Sequence, residues 1–214
     1  MPRASVASIV RACHRLASKG YAPATDGNIS VRTTASTLRI TRSGSGFADI
    51  KASDILSVRF ATTRLKGRSI PSTEMPMHLA LYERNEAIGA IVHAHPPMAT
   101  AFAVSGTRLT SNVFPEVILD LGDVPLVRYA MPSSQELGAL VARHAGSANA
   151  ALLANHGAVT WGRTLDEAVR RMEKLEHIAS IELYARLLGG VSQLNHEQVA
   201  ALRSRHPLSL RETQ

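Results

Sequence analysis

Apolar runs of strand length alternate along this chain with longer segments of helical period, and no long linker, repeat or low-complexity stretch separates them. That alternation points to one α/β domain, a mixed sheet covered by helices. Val6, Ile9, Val10, Cys13, Leu16 and Ala17 fall on one helical stripe, and Gly20 ends it. "GNISVR" and "TLRITRSGSG" read as short strands joined by turns, and "DILSVRFATTRLKG" continues strand-like to a turn near Lys66 and Gly67. "PSTEMPMHLALYERN" reads as a helix with Ser72 or Thr73 as N-cap, Pro76 in the first turn, and Met75, Leu79 and Tyr82 on one face. "AIGAIVHAH" is a buried strand stopped by Pro96 and Pro97. After the strand "PLVRYAM", the pattern Ser133-x-x-Glu136 predicts a capping box for a helix ending at Gly146. "AALLANHGAV" is an apolar strand that runs into a His-Gly turn. Thr164-x-x-Glu167 caps a long helix with Leu165, Ala168, Val169, Met172, Leu175, Ala179 and Leu183 on one side.

The 214 residues are 45% apolar, enough for one soluble globular domain with a substantial core. Aromatic residues make up 4%, so that core is aliphatic. A single cysteine, Cys13, excludes an intrachain disulfide framework and fits a reducing, cytoplasmic setting. No stretch has the length of a membrane span, and the basic N-terminus reads as an amphipathic helix rather than a secretory signal. The net charge of +7 raises nucleic acid and anionic small molecules as partners. The densest basic cluster, Arg163, Arg170, Arg171 and Lys174, is interleaved with Asp166, Glu167, Glu173 and Glu176, which reads as a solvated helix face. With no aromatic-basic platform and no helix-turn-helix pattern, the small anion is the better reading.

Nine histidines need separate explanations. His14, His144, His177, His196 and His206 fall on helices or in the polar tail and read as surface or boundary residues. His78 reads as a core residue or as support for a site. His93, His95 and His156 differ, because all three end apolar strands, where open α/β sheets place their sites. On a strand, positions i and i+2 share a face, so His93 and His95 aim at one point. Three imidazoles with a position left open suit a catalytic Zn²⁺. The segment "PSTE" adds a helix N-terminus able to hold a phosphate, two hydroxyls from Ser72 and Thr73, and the carboxylate of Glu74 as a candidate base.

The ordered set "TDGNISVR", "TRSG", "PSTE", "VHAH" and "NHGAV" resembles the class II aldolase/adducin-head family over nearly the whole chain. The resemblance implies a single-domain three-layer α/β/α fold over residues 1–214, with a central mixed, largely antiparallel sheet. Residues from about 195 on would form a tail or an intersubunit arm. It implies a cytoplasmic homotetramer with active sites between subunits. It makes His93, His95 and His156 the zinc ligands, with Mn²⁺ or Co²⁺ as other candidate ions. Glu74 would be a metal ligand in the empty site and the acid/base during turnover. Gly27, Asn28, Thr41, Gly44, Ser72 and Thr73 would hold the substrate phosphate. The activity implied is cleavage of a ketose 1-phosphate, of the L-fuculose-1-phosphate kind or a shorter deoxy sugar, to dihydroxyacetone phosphate and an aldehyde through a metal-stabilised enediolate. A 4-epimerase, a dehydratase or a decarboxylase would share that chemistry, and a non-catalytic adducin-like domain would lack the ligands.

The resemblance is weaker at the aldehyde end. A tyrosine expected there aligns near Phe114, which has no hydroxyl, and the tail "SRHPLSLRETQ" carries no tyrosine. Glu116, Tyr129 and His206 are substitutes to consider. Asp120 does not fall where an epimerase would need its acid.

Overall fold

The computed structural model describes residues 4–61 and 70–205. The turn expected near Lys66 and Gly67, the side chain of His206 and the end of the tail lie outside the described residues. Helix α1 (Val6–Ser18) is capped by Ser5, whose hydroxyl accepts the Ser8 N–H, and it buries Ile9, Ala12, Cys13 and Leu16. Strands β1 (Asn28–Thr34), β2 (Thr37–Thr41) and β3 (Ile55–Arg59) form an antiparallel meander. Helix α2 (Met75–Arg84) leads to β4 (Ala90–Ala94), α3 (Pro97–Ser105) and a wide single turn of helix at Val117–Leu121. Next come β5 (Leu126–Val127), α4 (Gln135–Ala142), β6 (Ala150–Leu153), β7 (Gly157–Gly162), α5 (Leu165–Leu187) and α6 (His196–Arg205).

The seven strands lie in the order β3-β2-β1-β4-β7-β6-β5. Every pairing is antiparallel except β5 with β6. Strand alternation splits the core into two layers. Ile29, Val31, Val92 and Ala158 face one side, with α1, α3 and α5 packed over them. Ile91, Val159 and Trp161 face the other, under α2 and α4. The fold is therefore a three-layer α/β/α arrangement around a mixed, largely antiparallel sheet, as the sequence implies.

Local expectations differ in instructive ways. Helix α2 begins at Met75, later than the Ser72 or Thr73 cap predicts, because Ser72 instead closes a tight turn: its carbonyl accepts the Met75 N–H and its hydroxyl the Glu74 N–H. The buried stripe of α2 is Met77, His78, Leu81 and Tyr82 rather than Met75, Leu79 and Tyr82. The cap of α4 is Ser134, which accepts the Leu137 N–H, while Ser133 sits at φ 67°. "AALLANHGAV" is two strands rather than one, with a turn through Asn155 at φ 56° between them. Asparagine tolerates that left-handed conformation better than most residues.

Helix α5 corrects a larger expectation. Its charged residues do not form one solvated face. Arg171 is 2% exposed and bonds the Trp161 carbonyl and the Asp120 carboxylate. Glu176 accepts the Met98 and Ala99 N–H groups, so it caps the N-terminus of α3 from outside. Glu182 accepts the N–H and hydroxyl of Thr110. These buried charges pin the segment between β4 and β5 onto α5.

Candidate metal and phosphate site

The site gathers at one end of the central strands. Asn28 of β1 and His93 of β4 are direct antiparallel partners, so their side chains emerge together on the α2 side of the sheet. His95 follows two residues later, just past β4, and its N–H donates to the Tyr21 carbonyl. His156 sits in the β6–β7 turn, its N–H donating to the Leu153 carbonyl. Glu74 enters from the start of α2. One nitrogen of each histidine lies within 4.8 Å of the others.

The hydrogen bonds fix which nitrogens point inward. His93 Nδ1 donates to the Ala158 carbonyl at 2.9 Å, and His95 Nδ1 lies 3.3 Å from Asp26 Oδ2. Both neutral rings therefore carry their proton on Nδ1 and present bare Nε2 atoms. Those two Nε2 atoms stand 3.3 Å apart, and His93 Nε2 is also 2.9 Å from Glu74 Oε2. Lone pairs facing one another at this range repel unless a cation lies between them. Two nitrogens on a tetrahedral Zn²⁺, each about 2.0–2.1 Å from it, are separated by roughly 3.3–3.4 Å. The donor set thus fits a divalent ion in spacing, in protonation and in chemistry. His156 Nε2 is 3.3 Å from Glu74 Oε1, and among the described residues that buried oxygen accepts no hydrogen bond, so it too faces the centre.

The charges agree with this reading. Burial opposes ionisation of Glu74, but His93 and His156 together with the Asn28 amide hold its carboxyl well below the usual carboxylate range. Burial likewise opposes a charged His93, and the Glu74 carboxylate outweighs it and raises that histidine. His156 is pushed down to about 4 by burial and by its neighbour His93. One cation shared by the cluster, a proton or a metal ion, is what this balance accommodates.

Around these groups lies a cleft of about 200 Å³ lined by Gly27, Asn28, Gly44, Ser72, Thr73 and Glu74 together with the three histidines. Gly27 has φ 82°, and a Cβ there would meet the His93 carbonyl at 2.9 Å, so only glycine lets this turn lie so close to β4. Gly157 makes room in the same way: its Cβ would stand 2.4 Å from the His95 ring. Thr41 is the one candidate that stands behind the cleft rather than on it. Its hydroxyl accepts the Ile29 N–H and its carbonyl accepts the Ser72 N–H, while Arg42 and Ser43 reach the surface instead.

Sequence reasoning missed several wall residues: Thr25, Asp26, Pro132 and Ser133. Asp26 sits inside the quoted "TDGN" motif, and its pairing with His95 needed the fold. Phe114, Glu116 and Tyr129 do not line the cleft within the protomer. Phe114 is partly buried and packs against the core. Asp120 is engaged by Arg171 and Lys174, which leaves it a structural role. A second cleft, about 590 Å³, opens at the opposite end of β1 and β4 among Arg11, Arg15, Arg32 and Arg163. Arg15 is tied to Glu173, and Arg32 to the Ile88 and Tyr82 carbonyls, so that cleft carries no comparable convergent set.

Residues 7–183 match the family model described as the Class II Aldolase and Adducin N-terminal domain. The chain belongs to that family. Among curated relatives, methylthioribulose-1-phosphate dehydratase of Pectobacterium carotovorum subsp. carotovorum is 34% identical over 85% of this chain and 94% of its own length. The 3-oxo-tetronate 4-phosphate decarboxylase of Escherichia coli is also 34% identical, over 87% of this chain and 89% of its own. Among solved structures, an L-fuculose 1-phosphate aldolase superposes with a TM-score of 0.85 at 29% identity, over 95% of this chain and 97% of that one. The chain is thus an enzyme of the class II aldolase superfamily, whose members usually depend on a divalent metal. Among the described residues, no helix is long and apolar enough to cross a membrane.

Proposed function

We propose that this protein is a metal-dependent lyase that forms and quenches the enediolate of a small phosphorylated ketose. The observation that carries this reading is the facing of the His93 and His95 Nε2 atoms and the Glu74 carboxylate on one point, at the edge of a glycine- and hydroxyl-lined cleft. His93, His95 and His156 would hold the ion, and Zn²⁺ is the candidate by donor type, with Mn²⁺ and Co²⁺ as others. Such an ion supplies Lewis acidity at a substrate carbonyl. The chain's own groups do the rest. Gly27, Gly44, Ser72 and Thr73 orient the phosphate, with Thr41 holding the Ser72 backbone in place. Glu74 takes or returns the proton on the carbon beside the carbonyl. Asn28 Nδ2, 2.8 Å from Glu74 Oε2, donates where negative charge develops.

The aldolase reading ends in dihydroxyacetone phosphate and an aldehyde. A second reading, loss of water or of carbon dioxide, is favoured by the dehydratase and decarboxylase relatives. We further place the enzyme as a cytoplasmic homotetramer with its sites between subunits. In support, Tyr129 and Met131 are exposed beside the cleft residues Pro132 and Ser133.

The test is proton exchange on dihydroxyacetone phosphate in D₂O. Exchange abolished by a chelator and restored by Zn²⁺ is expected for the aldolase. Exchange absent, with elimination or decarboxylation of a phosphorylated ketose or keto acid present, would select the second reading. Loss of both with metal bound would overturn the enediolate proposal. Ser72→Ala should raise KM for phosphorylated substrates more than for unphosphorylated ones. Glu74→Gln should keep the metal and slow proton exchange by about 100-fold or more.

A further inference from the structure

Behind Glu74 a chain of buried polar groups runs into the core, and the proposed reaction uses only its first member, Asn28. Asn28 Nδ2 is 2.8 Å from Glu74 Oε2, and Asn28 Oδ1 is 2.6 Å from His78 Nε2. His78 Nδ1 is 2.6 Å from Ser30 Oγ, which is 2.9 Å from the Tyr82 hydroxyl. His78, Ser30 and Tyr82 are all fully buried, and Asn28 is 4% exposed. They come together because Asn28 and Ser30 alternate onto the α2 face of β1, while His78 and Tyr82 are one turn apart on α2.

The direction of every link follows from one end. A carboxylate only accepts, so the Asn28 amide must turn its NH₂ to Glu74 and its oxygen to His78. His78 must then donate from Nε2 and accept at Nδ1. Ser30 must donate to that Nδ1 and accept from Tyr82, whose hydroxyl proton is free to serve as the source. With Asn28 flipped, two oxygens would meet at Glu74 and each further link would have to invert. A buried chain with every member satisfied holds one arrangement firmly.

The geometry points to His78 as a positioning residue: with Ser30 and Tyr82 behind it, it locks the Asn28 carboxamide so that a donor, never an acceptor, faces Glu74 and the substrate cleft. Asn28 lines that cleft, so the same NH₂ is presented to negative charge forming on a bound substrate. The catalytic part of this inference rests on the enediolate reading; the direction of the chain does not.

Two measurements on the zinc-loaded full chain separate the two. Multiple-bond ¹H–¹⁵N spectra of the wild type should show His78 as a single Nε2–H tautomer, with Nδ1 in the range of an unprotonated acceptor. An Nδ1–H tautomer, or two tautomers in exchange, would overturn the inference whatever the enzyme's activity. The second is turnover with zinc content and Tm recorded alongside. His78→Leu fills the space without hydrogen bonds and should keep stoichiometric zinc, keep KM within about twofold and lower kcat by about 10- to 100-fold. His78→Gln, which can place an amide donor near the Nε2 position, should recover most of kcat. Ser30→Ala, which frees the tautomer, should fall between them. A folded, zinc-loaded His78→Leu with wild-type kcat would overturn the positioning role. Should His78→Leu not fold, the Ser30→Ala and His78→Gln pair gives the same ordering or refutes it. A wild type inactive on every phosphorylated ketose would sink the enediolate reading alone, and the tautomer would still decide the direction of the chain.

Discussion

At the scale of single residues, the site depends on which nitrogen of each ring carries a proton. Asp26 and the Ala158 carbonyl settle this for His95 and His93. Asp26→Ala should therefore weaken zinc binding by about 10-fold or more while leaving Tm of the metal-free protein nearly unchanged, since the carboxylate is half exposed. Competition with a chromophoric chelator measures it. His95→Ala should lose the metal and the activity together, and a variant retaining one zinc per chain would remove His95 from the ligand set. The H-x-H pair and the "NHG" turn were legible because ligand chemistry needs few residue types at short spacing. Asp26 was not, since an aspartate before a glycine reads equally well as an ordinary turn. Nor could the sequence place Thr41 behind the cleft rather than on it, because that is decided by which hydroxyl the neighbouring strand's N–H reaches.

At the scale of elements, periodicity located α1, α2, α4, α5 and most strands but neither α3 nor α6, and it could not tell a buried charge from a solvated one. Arg171, Glu176 and Glu182 sit on α5 with the spacing of a surface helix, and it is the fold that brings partners to them: Asp120 and the Trp161 carbonyl to Arg171, the start of α3 to Glu176, and Thr110 to Glu182. Glu176→Gln keeps the shape but removes the charge that satisfies the first N–H groups of α3. It should cost about 1–2 kcal/mol in urea unfolding. Gly157→Ala tests the β6–β7 turn. Its methyl would collide with the His95 ring and with the Ala94 carbonyl, 2.8 Å away. The expected result is a loss of about 1–3 kcal/mol together with sharply weaker zinc binding. Unchanged zinc affinity would show that the ring can shift without leaving the metal.

At the scale of the whole molecule, acidity acts through the same buried groups. Burial pushes His78 down to about 3, against 6.5 when exposed. Between those two values the unfolded chain binds the extra proton and the folded one does not, so stability falls as pH drops from about 6.5 toward 3. Glu74, whose carboxyl is depressed in the fold, adds a loss of the same sign below its ordinary value of 4.5. Urea unfolding of the metal-free protein at pH 7 and pH 4.5 should show the difference, and His78→Gln should flatten it. An unaltered slope in that variant would assign the acid sensitivity elsewhere. Chelation at pH 7 should lower Tm, since an ion bound only by the folded state stabilises it by mass action. Sedimentation tests the proposed homotetramer, with a species of four protomers expected.

Strand β7 lies between β4 and β6 in space yet follows both in the chain. A polypeptide emerging from the ribosome therefore presents the glycine turns, Glu74, His93 and His95 long before the strand that joins the two halves of the sheet exists. Until the residues beyond 156 are out, the third imidazole has no turn to hold it and the two edges flanking the gap are open. Assembly of the proposed metal site is thus tied to the synthesis of β7. A truncated nascent chain ending before β7 would carry most of the recognition residues and still make a poor competitor for a divalent ion.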